Sequence, residues 1–316
     1  QGAWRISPVK LTTSHNQQRM SAAADQPEQD TPRRIYKVLL MILPVGVLIG
    51  TIVFMFMYFY LEREEEKNYA VIVSHGLRIS DLEDMVNKFT DRIGERDLET
   101  EQGRVGLRRA ASMIEGRLGP QNVGFPVSKS EGEAAYGLLW KSLAVEIEGA
   151  QKPDEIIFAA VSYSGAGKVA DANCTSTLMM LASAMARQKT DRTLRFVFLP
   201  LDKSPAEQNR WLLERCLKPG EKCFGIIGLK TMEKPPVTGE PAWQLSSASP
   251  NGETWWNNLR TGDATQRSLG TDIPSVWLTH PVFSPATWAD DQQGRFVRTM
   301  EVAKQLRKWL DMAASG

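Results

Sequence analysis

The chain has 316 residues, and its 38 lysine and arginine residues against 37 aspartate and glutamate residues give a formal net charge of +1 at pH 7. This balance excludes nucleic-acid binding driven by overall charge, and we expect no nucleic-acid partner. The length suffices for one large domain or two small ones, so function has to be inferred from local features.

Residues 1–34 have the composition of a disordered cytoplasmic tail. From Met20 they read "MSAAADQPEQDTPRR", a polar segment with two prolines and no hydrophobic periodicity. Residues 1–19 show neither a period nor a capping residue. One hypothesis is therefore that translation starts at Met20 and that residues 1–19 come from an over-extended reading frame.

Residues 35–61 are predicted to form one transmembrane helix. Their core, Val38 to Tyr60, is an apolar run without a charge. A helix of that length spans the ~30 Å hydrocarbon core of a bilayer, and membrane helices tolerate a proline such as Pro44. A cleaved signal peptide and a buried core helix are the alternatives. The charged "LEREEEK" that follows is unlike the small-residue cleavage site of a signal peptide.

The charges on either side of the apolar run indicate its orientation. Arg33, Arg34 and Lys37 precede it, whereas Arg63 and Lys67 follow it among glutamates, which count little in the positive-inside rule. This excess favours a single-pass protein of the cell membrane with its N-terminus in the cytoplasm. The large C-terminal part is then extracytoplasmic.

Residues 62–316 are predicted to form a three-layer α/β domain with a mostly parallel central sheet. Five runs rich in β-branched and aromatic residues are typical of strands, and those around Phe158, Val197 and Ile226 are apolar enough to be covered on both faces. Strands that alternate with helices imply parallel pairing with right-handed crossovers. The five runs are "SLAVEIEG" (142–149), "EIIFAAVSY" (155–163), "TLRFVFLPL" (193–201), "CFGIIGL" (223–229) and "IPSVWLT" (273–279).

Helical periodicity appears before the strands and between them. The stretch "ISDLEDMVNKFTDRIG" places Leu82, Met85, Val86 and Phe89 at helical spacing, with Ser80 as its predicted N-cap. The remaining predicted helices are Glu101–Leu118, Asp171–Gln188, Ala206–Leu217 and Gly294–Met312.

Two features outside the regular elements have candidate roles. Cys216 and Cys223 flank the turn-like "LKPGEK", and a disulfide between them is compatible with an oxidising compartment; two unpaired thiols are the alternative. Residues 232–272 are predicted to be an irregular insertion. Its tryptophans form a candidate interaction surface, because tryptophan is enriched at interfaces, while packing onto the domain is the alternative. They are Trp243, Trp255 and Trp256.

Three loops are expected to share one edge of the sheet. In a parallel α/β fold, ligands bind at the carboxyl ends of the strands. Residues 162–172, 201–204 and 229–232 each follow a predicted strand. We therefore expect chemistry, where there is any, at this edge.

The order of these segments resembles the di-zinc aminopeptidase family, whose members include leucyl aminopeptidases, glutaminyl cyclases and the non-catalytic domains of transferrin receptor and nicastrin. The residues that carry the resemblance are the Ile93-Gly94-x-Arg96 turn, the strand and loop "EIIFAAVSYSGAG" and the Ala170-Asp171-x-Asn173 helix entry. The resemblance extends over essentially everything after the apolar run. It implies a zinc-exopeptidase-like fold.

The resemblance also implies where metal ligands belong, and this chain departs from the pattern. The first zinc histidine falls at Ser162, and an aspartate two residues later falls at Ser164. The bridging carboxylate corresponds to Asp171, which is retained. A paired zinc site needs ligands that converge at about 2.0–2.3 Å on each metal, so these losses predict a degenerate site.

The later ligand positions are also altered. The family's glutamate pair falls at Asp202 and Lys203, and its ligand aspartate after the third strand falls at Lys230. The last histidine belongs near residues 285–287, where there is none, and His280 lies earlier than the pattern places it.

Lysines at metal-facing positions suggest a replacement of the metal charge. A charged ammonium has no lone pair and repels a divalent cation. Our hypothesis is that Lys203 and Lys230 neutralise Asp171 and Asp202 in a partly buried cluster. Two solvated lysines without partners are the alternative.

These observations predict a membrane-anchored, catalytically inactive peptidase-like domain without a cofactor, which binds a peptide or protein or serves as a subunit of a membrane complex. The alternative is a metal-dependent aminopeptidase or other hydrolase with an atypical site. Its ligands would be Asp171, Asp202 and His280 on a single zinc ion.

Overall fold

The computed structural model of the protein describes residues 31–69, 76–135, 138–232, 243–262, 272–284 and 292–315. The chain divides into two compact units, Gln1–Glu62 and Arg63–Gly316. The predicted tail is outside the described residues up to residue 30.

One long helix, α1, runs from Thr31 to Tyr69 with Pro44 inside it, and most of it belongs to the first unit. Its segment Ile42–Phe59 has a mean hydropathy of 2.3 and is 0% buried, so it is long and apolar enough to cross a membrane. A signal sequence near an N-terminus meets the same criterion. The helix continues past the predicted end at residue 61, because the glutamates and lysine that follow are good helix formers.

The second unit is built around one seven-stranded sheet. The strand order is β1-β2-β4-β3-β5-β7-β6. The four strands β4, β3, β5 and β7 pair in parallel, and β1, β2 and β6 are antiparallel additions at the two sides. The strands are β1 (Ser128–Ala135), β2 (Leu138–Ile147), β3 (Lys152–Ser162), β4 (Arg192–Leu199), β5 (Lys222–Leu229), β6 (Gln244–Ala248) and β7 (Ser275–Thr279).

Helices cover both faces of this sheet. They are α2 (Ile79–Asn87), α3 (Glu101–Leu118), α4 (Val169–Met185), α5 (Pro205–Arg215), α6 (Pro250–Thr261) and α7 (Gln292–Ala314), with a π-helical segment at Lys88–Ile93 and a 3-10 turn at Pro281–Phe283. The larger core packs α2, α3, α4, α6 and α7 on one face, and the smaller core packs α5 on the other. The predicted three-layer α/β architecture with a mostly parallel sheet is therefore confirmed.

Some local predictions need correction. The helix α2 begins at Ile79 after Arg78, so Ser80 lies in its first turn and is not the N-cap. The supposedly irregular segment 232–272 contains β6 and α6. The strand β1 was not predicted either, because its sequence "SKSEGEAA" lacks the apolar alternation by which half-buried strands are recognised.

Candidate functional site

The loops at the carboxyl ends of the parallel strands form one cleft. Ser162 is the last residue of β3, Asp202 follows β4, and Lys230 directly follows β5. The cleft has a volume of about 380 Å³. Its lining includes Ser162, Ser164, Lys168, Asp171, Asp202 and Lys230. The structure therefore brings together most of the residues that the sequence singled out.

Lys230 and Asp202 form an ion pair in this cleft. Lys230 Nζ lies 3.2 Å from Asp202 Oδ1 and also donates a 3.2 Å hydrogen bond to Lys203 O. The Lys230 side chain is 19% exposed, whereas that of Asp202 is 47% exposed. Asp202 Oδ1 accepts a further hydrogen bond of 3.3 Å from Gln208 Nε2. One predicted contact between a lysine and a carboxylate is thus present.

Lys203 occupies a different place from the one predicted. It is not part of the cleft lining, and it lines a separate shallow depression together with Glu207 and Trp211. Its charge acts on the Glu207 carboxylate. Lys203 therefore lies outside the cleft that Asp202 lines.

Asp171 has a partner that the sequence did not suggest. Burial raises the pKa of Asp171, against the lowering effect of the Arg96 charge and of hydrogen bonds from the backbone N–H groups of Ala166 and Lys168. Burial lowers the pKa of Arg96 to about 10, and the Asp171 charge opposes this shift. The largest charge effect on the Asp171 pKa therefore comes from Arg96, with a smaller one from Lys168, and not from the predicted Lys203 and Lys230.

Arg96 connects the first helices to the loop after β3. Its side chain is fully buried. Nε donates to Tyr163 O at 2.8 Å and Nη1 donates to Gly94 O at 2.8 Å. Its backbone N–H and C=O pair with Gly165 in both directions at 2.8 Å. The Ile93-Gly94-x-Arg96 turn was the sequence signal that could have identified this residue.

The loop after β3 is held against the start of α4 and against the loop after β4. Ser162 Oγ and Ser164 Oγ lie 2.8 Å apart, and Ser164 Oγ accepts a 2.8 Å hydrogen bond from the Asp202 N–H. A Cβ on Gly165 would lie 2.5 Å from Asp171 Oδ2, so glycine permits this close approach. The two serines thus join the loops in the positions where the resemblance expected metal ligands.

The residues of the cleft do not fit a zinc site. Zinc needs three or four nitrogen, sulfur or oxygen ligands around it. Within the described ranges, no group of three or more histidine, cysteine, aspartate or glutamate side chains is placed to hold a metal ion. The Lys230 ammonium, which has no lone pair to offer, contacts Asp202 instead.

His280, the third ligand of the one-zinc alternative, is engaged outside the cleft. Its Nδ1 accepts a 3.2 Å hydrogen bond from the Val282 N–H, and its ring packs edge-on against Trp243 with 4.9 Å between centroids. Burial lowers the pKa of His280 to about 4. The imidazole is therefore neutral at neutral pH and acts as a cap for the 3-10 turn.

This shift predicts an acid-sensitive contribution to stability. The unfolded chain keeps a histidine pKa near 6.5 and so binds more protons than the folded chain between that pH and about 4. The free energy of unfolding should fall as the pH falls through this window, by about 2 kcal/mol from this group after allowance for its partial exposure.

Denaturant unfolding of the full-length protein between pH 6.5 and about 4 measures this effect. The variant His280→Asn, which keeps a hydrogen-bond acceptor for the cap, is measured in parallel. The variant should lack this part of the pH dependence. Identical pH profiles for the two proteins would contradict the assignment.

The predicted tryptophan interaction surface is wrong, because the structure buries all three side chains. Trp243, Trp255 and Trp256 are 8%, 7% and 2% exposed. Trp243 Nε1 donates to Gln305 Oε1 at 2.7 Å, and the Trp256 ring packs on Trp309 with 4.4 Å between centroids. Indole rings on α6 and before β6 fill the space between α7 and the sheet, so they belong to the core.

The predicted disulfide is also absent from the structure, in which Cys216 and Cys223 are free thiols. Ser130 Oγ donates to Cys216 Sγ at 3.7 Å, while Cys223 Sγ donates to Gly225 O at 3.8 Å. The two thiols contact different partners. Cys174 is likewise free and buried, as expected for a residue on α4.

Comparison with known proteins identifies the fold and nothing finer. No protein-family model and no curated protein sequence matches the chain. Among solved structures, the LapA aminopeptidase of Legionella pneumophila matches with a TM-score of 0.50 and 13% identity, over 81% of this chain and 75% of that chain. At that identity the likeness is one of fold.

Two further solved structures of similar fold are an aminopeptidase precursor and a glutaminyl cyclase. A leucine aminopeptidase precursor from Bacteroides thetaiotaomicron matches at 13% identity with a TM-score of 0.49, over 76% of this chain and 99% of that chain. The glutaminyl cyclase of Fimbriiglobus ruber matches at 13% identity with a TM-score of 0.48, over 76% and 96%. The likeness to the LapA aminopeptidase confirms the aminopeptidase-like fold that the sequence resemblance implied.

Proposed function

We propose that this chain is a membrane-anchored, catalytically inactive peptidase-like domain that binds a peptide or protein in the cleft, as a subunit of a membrane complex. The observation that carries the proposal is the ion pair between Lys230 and Asp202. The Lys230 ammonium lies beside the Asp202 carboxylate, at a position where the resemblance implies a metal ligand. A bound cation there would face the repulsion of that ammonium.

The cleft retains what binding requires. Its volume of about 380 Å³ lies in the range of ligand pockets, and its lining mixes hydroxyl groups and charges with apolar side chains from the strand ends. Beyond the Asp202–Lys230 pair, a second open hollow of about 370 Å³ extends to Gln244 and Thr279. An extended peptide is a suitable occupant for two adjoining hollows.

The apolar segment Ile42–Phe59 supports the membrane part of the proposal. In our proposal α1 is retained as a single-pass anchor, with the N-terminus in the cytoplasm and the α/β unit outside it. An anchor of this kind keeps a binding domain close to other membrane proteins. A cell-surface protease-protection assay on intact cells tests this orientation.

The alternative is a metal-dependent aminopeptidase or other hydrolase, which the name of the similar LapA structure favours. The deciding experiment uses full-length protein purified in mild detergent without chelator. We expect zinc well below one equivalent per chain and no hydrolysis of aminoacyl anilides above the blank, with or without added zinc. Metal content is measured by mass spectrometry and hydrolysis by absorbance.

The variant Asp171→Ala is the control for this experiment. Stoichiometric zinc in the wild type, together with chelator-sensitive hydrolysis that Asp171→Ala abolishes, would overturn the proposal. Trace hydrolysis that persists in Asp171→Ala would come from a contaminating peptidase.

A further inference from the structure

The hydrogen-bonding capacity of the cleft indicates which chemical group it binds. The two carboxylates of the lining already have partners. Asp171 accepts from two backbone N–H groups and faces the Arg96 charge, and Asp202 accepts from Lys230 and Gln208. A ligand that meets these carboxylates competes with partners already in place, so the charged donors of the lining are the groups to consider next.

Lys230 retains one such donor. An ammonium has three N–H groups. The two polar contacts described for Lys230 go to Asp202 Oδ1 and to Lys203 O. Because Lys230 lines both the cleft and the adjoining hollow, a third N–H is left for an acceptor on a ligand.

Lys168 is the second donor. It is exposed and lines the cleft at the start of α4. Its charge acts on Asp171, but its side chain makes no ion pair within 4 Å in the part of the chain that the structure describes. Behind Asp171, the buried Arg96 Nη2 also has no hydrogen-bond partner among the described residues. Three cationic side chains therefore lie in or near this cleft, against two carboxylates. The cations are Lys168, Lys230 and Arg96, and the carboxylates are Asp171 and Asp202.

We propose that the cleft binds a carboxylate group of a peptide or protein, held between the ammonium groups of Lys168 and Lys230. This inference rests on the proposed function, because a zinc ion in the cleft would change its charge. Charge-assisted hydrogen bonds between an ammonium and a carboxylate are stronger than neutral ones. A C-terminus and an acidic side chain present the same chemical group.

The test compares four short peptides by ligand-observed NMR on the full-length protein in detergent. The first is N-acetylated tetra-alanine with a free carboxylate, and the second is its C-terminal amide. The third is the amide with a free amino terminus. The fourth is the acetylated amide with one central glutamate, which separates side-chain from C-terminal recognition.

We expect at least one of the two peptides with a carboxylate to bind about tenfold more tightly than the acetylated amide and than the amide with a free amino terminus. A tenfold difference is what one charge-assisted hydrogen bond contributes. Lys168→Gln and Lys230→Gln should each reduce this preference about tenfold. Lys222→Gln is the matched control, because Lys222 is an exposed lysine at the opposite end of β5. It should change nothing.

Tightest binding of the amine peptide, equal binding of all four peptides, or no binding at all would overturn the inference. None of these results involves metal content or hydrolysis. The zinc and anilide measurements therefore judge the proposed function separately.

Discussion

Replacing Arg96 by methionine should lower the free energy of unfolding by about 3–5 kcal/mol, as the loss of one partner from a buried charged network does. The guanidinium is fully buried and donates to the carbonyl groups of Tyr163 and Gly94. Methionine fills much of the volume but leaves these acceptors without donors. It also removes the positive charge that acts most strongly on the Asp171 carboxylate.

The matched control is Arg117→Met on α3. Arg117 reaches Asp81 at 3.8 Å, and its side chain is 30% exposed, so its ion pair should contribute less than about 1 kcal/mol. Denaturant unfolding of both full-length variants in mild detergent, followed by tryptophan fluorescence, measures the difference. Equal losses for the two variants would contradict a special role for Arg96.

Replacing Arg195 by methionine should cost a similar amount, about 3–5 kcal/mol. Arg195 is 3% exposed, and its Nη2 lies 2.7 Å from a carboxylate oxygen of both Glu146 and Glu221. Its Nη1 donates to the carbonyl of Cys216. The arginine therefore joins β2 and β4 to the turn after α5, the turn for which the sequence suggested a disulfide.

Lys218→Met is the control for this prediction, because Lys218 Nζ contacts the same Glu146 at 2.8 Å with a side chain that is 56% exposed. Its loss should cost less than about 1 kcal/mol.

We also expect reductant to leave the unfolding midpoint of the wild type unchanged, since Cys216 and Cys223 are free thiols. A midpoint that falls with reductant in the wild type but not in Cys223→Ser would restore the disulfide.

Much of the fold could be predicted because its signals are local. The helix Glu101–Leu118 was predicted with the bounds that the structure shows, since a Gly-Pro pair follows a clear apolar period. The central strands were recognised from short apolar runs. The small elements at the sides of the sheet were missed, because β6 has five residues and lies in a segment of turn-forming composition.

The candidate site could be located but not assembled from the sequence. Ser162, Asp202 and Lys230 share the cleft because the carboxyl ends of neighbouring parallel strands meet at one edge. The partner of Asp171 could not be predicted in the same way. Arg96 lies 75 positions earlier in the chain, and only the packing of the first helices on the sheet brings its charge close.

Residue order alone is enough to establish the apolar segment and the alternation of strands and helices, because these depend on composition and short spacings. The altered ligand positions are what the family resemblance implies. Tertiary packing alone decides the direction of each charged side chain. It turns Lys230 toward Asp202 and Lys203 away from the cleft, and it buries the tryptophans in the core. Such choices depend on contacts between residues distant in the chain, which no local pattern records.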